Sequence, residues 1–233
     1  MNRRVYLTAA AVAAVVALHP PQMAAHFQLV EPASWLVENN LGDPQKLAPC
    51  GSLPPAPANA PAPAAGRGGA PATPPPPVPV SNAVTKVAGG SKLHLKVVET
   101  IYHPGHYRVA LAVKARTELP ADPYTFERTT ERGPQSVWAT IQSPPQIPVI
   151  ADGLFQHYTR PPAGAGGARP DPVTYEADIQ LPNLTCAKCT LQVIQFMAEH
   201  GYNQPGGYSY HHCADLQITA DASKPLDKNW PTE

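Results

Sequence analysis

The chain has 233 residues, 43% of them hydrophobic, which is enough for one domain with a sizeable core. Lys+Arg and Asp+Glu are 17 each, so there is no basic excess of the kind that nucleic-acid binding needs. The 31 prolines and 16 glycines predict long irregular connections between short elements.

The N-terminus reads as a secretory signal over 1–25. Arg3 and Arg4 form a basic n-region, and Val5 to Leu18 is apolar but short of the ~20 residues of a membrane span. His19-Pro20-Pro21 breaks that run, and Met23-Ala24-Ala25 offers small residues for cleavage. Removal takes away two arginines and no acid, which leaves a mild negative balance and an exported chain, secreted or periplasmic. The mature chain then starts at His26, whose free α-amino group and imidazole Nδ1 can chelate one metal ion from a single residue.

From about 52 to 85 the chain is mostly Pro, Ala and Gly and carries too little apolar bulk for a core. A domain before it would be too small to stand alone. Residues 26–233 are therefore expected to be a single domain with a long surface insertion.

Lys92 to Val98 alternates, with Leu93, Leu95 and Val97 on one face, and reads as a strand. It leads into Tyr102-His103-Pro104-Gly105-His106, where Pro104 fixes φ and Gly105 relaxes it, so a tight corner is expected. Tyr107, Val109, Leu111 and Val113 then alternate along the next strand. Ala121 to Trp138 reads as a variable loop, and Ser143 to Ile150, with its repeated prolines, as edge strand or coil. A second Gly/Pro/Ala loop is expected at 161–172. Val173 to Leu181, Cys189 to Met197 and Tyr208 to Ile218 read as strands. Short strands, turn-rich loops and no long helical period predict an all-β antiparallel sandwich with long Pro/Gly-rich loops.

The four cysteines are Cys50, Cys186, Cys189 and Cys213. No second Cys-x-x-Cys completes a zinc set, and export favours disulfides. Cys186 with Cys189 and Cys50 with Cys213 are the favoured pairs; the other two pairings stay open from sequence. The amine and Nδ1 of His26 with the imidazole of His103 make a three-nitrogen set, which suits copper better than magnesium or calcium. His106 is the rival for the second imidazole. Tyr210, three residues before Cys213, is the candidate for a weak ligand above the nitrogen plane. His106, Tyr208 and His212 are expected beside the metal; His211 and His212 alternate across a strand, so at most one faces the site. Tyr158, Tyr202, Trp35 and Trp138 are candidates for stacking on sugar rings.

A mature N-terminal histidine, the His103-x-Gly105 corner opening a strand, Cys186-x-x-Cys189-x-Leu191-Gln192, and Tyr210-x-x-Cys213-Ala214-Asp215 together resemble the lytic polysaccharide monooxygenases. The likeness is to the bacterial polysaccharide monooxygenase-like proteins in particular, and it spans the mature chain through short, scattered motifs. It implies an immunoglobulin-like sandwich holding one copper in a histidine brace, with His26 and His103 as the brace and Tyr210 as the axial residue. A glutamine often found two residues before that tyrosine is Tyr208 here. The Pro-rich insertion is foreign to compact catalytic cores, and no separate carbohydrate-binding module is expected in these 233 residues. The implied function is oxidative cleavage of a chitin- or cellulose-like polysaccharide by a monomer that needs an external electron donor. Two other readings are a copper carrier on the same fold and a metal-free adhesion sandwich, for which His26 would be dispensable.

Overall fold

The computed structural model describes residues 26–52, 78–159, 172–203 and 207–231. The expected signal peptide, most of the expected insertion and the expected 161–172 loop apart from Pro172 lie outside the described residues. The strands are β1 (His26–Glu31), β2 (Val84–Ala88), β3 (Lys92–Ile101), β4 (Gly105–Ala112), β5 (Thr125–Thr130), β6 (Gly133–Ala139), β7 (Val149–His157), β8 (Val173–Gln180), β9 (Cys186–Met197) and β10 (Ser209–Thr219). One sheet runs β1-β3-β8 and the other β2-β10-β9-β4-β7, with β5-β6 as a separate hairpin. All pairings are antiparallel except β2 on β10.

The two larger sheets pack as an all-β sandwich because each presents one alternating apolar face. Leu93, Leu95 and Val97 of β3 with Ile179 of β8 meet Val109, Leu111, Leu191, Val193 and Leu216 of the other sheet in one core. Each such side chain stabilises the fold by roughly 1.5–3 kcal/mol. β4 and most of β9 are buried on both faces. Their outer face is covered at one end by the β5-β6 hairpin, where Ala139 packs with Phe196, Ala198 and Tyr208. Trp35, Leu36 and Cys50 cover it against Cys213.

Two expectations about irregular segments are corrected. Ala121 to Trp138 is not a plain loop: it contains β5 and most of β6, registered Phe126 to Trp138. The expected insertion is also too long at its C-terminal end. Val84 already begins β2, and residues 79–81 are pinned by main-chain bonds from Val37 to Pro79 (2.9 Å) and from Ser81 to Trp35 (2.8 Å). Trp35 is the anchor of this region. Its backbone N–H donates to the Cys213 carbonyl and its indole to the Cys50 carbonyl, both at 2.9 Å, and Arg116 lies 3.7 Å above the ring. The disulfides are Cys50–Cys213 and Cys186–Cys189.

β1 is an edge strand, and the groups on its open side are met by side chains. Gln45 Oε1 accepts from the Phe27 N–H at 3.0 Å, Glu38 accepts from the Leu29 N–H at 3.1 Å, and His212 Nε2 lies 2.9 Å from the Phe27 carbonyl. The first residue of β1, the last of β3 and the first residues of β4 and β10 meet at one end of the sandwich, because His26 pairs with Ile101 and Gly105 with Met197.

Gly105 is required there. A Cβ at this position would run into the Phe196 carbonyl across the β4-β9 pairing. Gly105→Ala is expected to lower stability by about 2–3 kcal/mol, read as a lower urea midpoint. Gly201→Ala is the control, since a Cβ there meets nothing within 4 Å. Among the described residues no helix is long and apolar enough to cross a membrane.

Candidate metal centre

Cross-strand partners in a sheet share a face, so the register fixes which side chains can meet. Tyr107 pairs with Gln195, and Gln195 with Tyr210, in one row on the core face at the end just described. His26 lies over this row: its ring is 5.6 Å from that of Tyr210, centroid to centroid. His103 stands two residues beyond Ile101, the partner of His26, at the β3–β4 corner, and its ring is 4.7 Å from that of His200. His26 is 5% exposed, His103 3% and Tyr210 0%. Burial pushes the Tyr210 phenol up to about 12, helped by the charge of Asp43 and opposed by the Asn203 side chain. Tyr210 is therefore a neutral phenol at physiological pH.

The two imidazoles are held by opposite nitrogens. His26 Nε2 is 3.4 Å from Asp43 Oδ2, and a carboxylate can only accept, so Nε2 carries the proton. His26 Nδ1 is buried and has no hydrogen-bond partner among the described residues. In His103 the order is reversed: Nδ1 is 3.2 Å from the Ala198 carbonyl, which leaves the lone pair on Nε2. The lone pairs thus lie on Nδ1 of the first histidine and Nε2 of the second. Among the described residues no three His, Cys, Asp or Glu side chains form a metal-holding group.

No protein-family model and no curated protein matches this chain.

Beneath His103 lies a polar hub. Glu99 is 2% exposed, and its Oε1 accepts from the His103 backbone N–H (3.0 Å), Gln195 Nε2 (2.6 Å) and His157 Nε2 (3.1 Å). His157 Nδ1 faces the Phe155 carbonyl. Both ring nitrogens therefore face acceptors, Glu99 and the Phe155 carbonyl, which favours the protonated ring. Burial opposes that charge, but the Glu99 hydrogen bond and charge, with the Phe155 and His103 carbonyls, outweigh it and raise the pKa.

The residues expected beside the metal divide between the two faces of the sheet. His212 is on the core face, registered with Val193, and its ring meets Phe27 edge-on at 4.6 Å, where it fixes β1. Its Nδ1 is 3.0 Å from Glu38. Tyr208 turns to the outer face with Phe196 and Ala139, away from Tyr210. Gln195, on the neighbouring strand, sits beside Tyr210 in the row. His106 also faces outward, as alternation requires, but it is 1% exposed because loops and hairpin cover it. Its Nδ1 is 2.7 Å from the Tyr158 hydroxyl and its Nε2 3.8 Å from Asp152. His211 shares that face, 2.7 Å from Asp122.

His106 has a pH signature of its own. Burial lowers its pKa from 6.5 to about 4, with Asp152 pulling it up and the charges of Arg108 and His157 pushing it down. The unfolded chain then takes the proton more readily than the folded one. Its contribution is present above pH ~6.5 and is lost as pH falls through about 4. Wild type should lose up to about 3 kcal/mol more than His106→Gln between pH 7 and pH 4, compared by urea midpoints. Parallel pH curves for the two proteins would refute this.

Of the aromatic residues considered for sugar stacking, Trp35 is buried. Tyr158, Tyr202 and Trp138 are exposed, and Trp138 stacks on Phe126 at 3.7 Å, with Tyr124 edge-on to Phe126. Strand β6 also adjoins the segment behind His103, through bonds from Ser136 to His200 (2.9 Å) and from Glu199 to Ser136 (2.9 Å).

Proposed function

We propose that this is a secreted copper-dependent enzyme that cleaves a polysaccharide oxidatively, with His26 and His103 holding the ion and Tyr210 beside it. The reading is supported above all by the complementary tautomers: Nδ1 of His26 and Nε2 of His103 are the basic nitrogens, at one end of the sandwich. Nδ1 is also the atom that closes a chelate ring with the amine of its own residue once the chain begins at His26. A buried nitrogen without a partner among the described residues is destabilising by about 1–3 kcal/mol, and a metal ion would satisfy it.

Copper would supply one-electron chemistry with oxygen or peroxide, which oxidises a C–H bond beside the glycosidic link. The chain's own part is to hold two imidazoles in fixed tautomers, keep the Tyr210 phenol protonated beside them, and seat His103 on Glu99. The exposed rings of Tyr124, Phe126 and Trp138 on the neighbouring hairpin are an apolar surface of the kind that marks a binding face, and they favour a sugar substrate.

The test uses processed protein whose intact mass shows a start at His26, loaded with copper and given a reductant. Oxidised oligosaccharide ends should appear with at least one insoluble glycan, chitin or cellulose among them. Tight copper binding with no oxidised ends across a broad panel would instead make the protein a carrier. An absence of copper binding would remove both readings.

A further inference from the structure

His26 Nε2 has one described ionic partner, and the loop that delivers it is built for the purpose. Asn39 Oδ1 accepts from the Leu41 N–H (2.8 Å) and the Asp43 N–H (3.0 Å), which closes residues 39–43 into a tight turn. Gly42, at φ +97°, lies so close to β1 that a Cβ would meet the Phe27 carbonyl. The Thr100 hydroxyl ties the turn to β1, 2.8 Å from the Leu41 carbonyl and 3.1 Å from the His26 carbonyl. Gln45, fully buried, bonds the Phe27 N–H just beyond. The outcome is a carboxylate set 3.4 Å from Nε2 of a histidine whose other nitrogen is buried without a described partner.

We infer that Asp43 is a positioning residue: it fixes His26 in the Nε2–H tautomer and so presents Nδ1 as the metal-binding nitrogen. A neutral imidazole has one protonated nitrogen, and the hydrogen bond made by one decides the state of the other. Without Asp43 nothing described favours Nε2–H, and an Nδ1–H imidazole cannot chelate through Nδ1. Carboxylates in this role also raise the basicity of the ligating nitrogen, and losing one weakens metal binding by about 10- to 100-fold. The metal-binding half of this inference rests on the function proposed above; the tautomer half does not.

The two halves are separated by experiment. Long-range proton–nitrogen correlation spectra of 15N-labelled, metal-free protein beginning at His26 report directly which ring nitrogen is protonated. Wild type should show His26 with a pyrrole-type Nε2 and a pyridine-type Nδ1. Asp43→Ala should lose that preference while remaining folded, and bind copper(II) about 10- to 100-fold more weakly. Asp43→Asn, whose amide oxygen still accepts, should retain the tautomer and serves if the alanine variant folds poorly. A protonated Nδ1 in wild type, or a tautomer unchanged in Asp43→Ala, overturns the inference. Wild type with the expected tautomer but no copper affinity overturns the proposed function and leaves the tautomer assignment supported.

Discussion

His103→Ala is expected to weaken copper(II) binding by more than about 100-fold, beyond the range seen when only a supporting residue is lost. The imidazole sits at a corner fixed on both sides, by Glu99 holding its backbone N–H and by Ala198 holding Nδ1. Alanine keeps the corner and deletes the donor nitrogen. His26→Ala keeps the amine and loses Nδ1, so a comparable loss is expected. His106→Ala should leave affinity essentially unchanged, because that ring is on the other face of the sheet with Phe196 and Tyr158. Calorimetric titration and electron paramagnetic resonance on the three variants decide the matter. If His106→Ala loses the copper signal while His103→Ala keeps it, the second imidazole has been misassigned.

The second large effect is on stability. Cys50–Cys213 closes a sequence separation of 163 residues, for which the chain-entropy model gives about 5 kcal/mol. Cys186–Cys189 closes a separation of 3 and gives under about 2 kcal/mol by the same model. Cys50→Ser with Cys213→Ser should therefore lower the melting temperature by about 10–20 °C, and Cys186→Ser with Cys189→Ser by much less. The first bridge also holds the 34–51 segment, with Glu38, Asp43 and Gln45, against β10 and β1. Copper affinity should then fall with the first pair and not with the second. Equal shifts in a calorimetric scan of the two variants would contradict this.

Much of the sandwich could be read from alternation alone. β3, β8, β9 and β10 each carry an apolar face, and the pattern fixes their period and side. β2 and β5 are mostly exposed, so no alternating apolar face marks them, and Pro134 breaks the strand pattern of β6. β1 was hidden for another reason: part of its pairing comes from Gln45, Glu38 and His212, which are distant in sequence. Of the candidate site, His26 could be singled out by its place after the expected leader and His103 by the Pro104-Gly105 corner. The site's support was not singled out, although a signal existed. Glu99 continues the inward series Leu93, Leu95, Val97, and Gln195 interrupts Leu191, Val193, Met197. A polar side chain on a core face must be satisfied by others, which marks both as members of a network. Asp43 carries no such mark, since it lies in a loop and meets His26 only through the fold.

The anchoring of Trp35 makes one residue the common support of three stretches far apart in sequence. Its indole holds Cys50, its backbone N–H holds Cys213 and its backbone carbonyl holds Ser81. The two main-chain bonds do not depend on the side chain, whereas the indole bond and the ring under Arg116 do. The residue therefore joins pairing that any amino acid could make to a clasp that only an indole can, and damage to the clasp falls on the segment around Cys50 before it reaches β10.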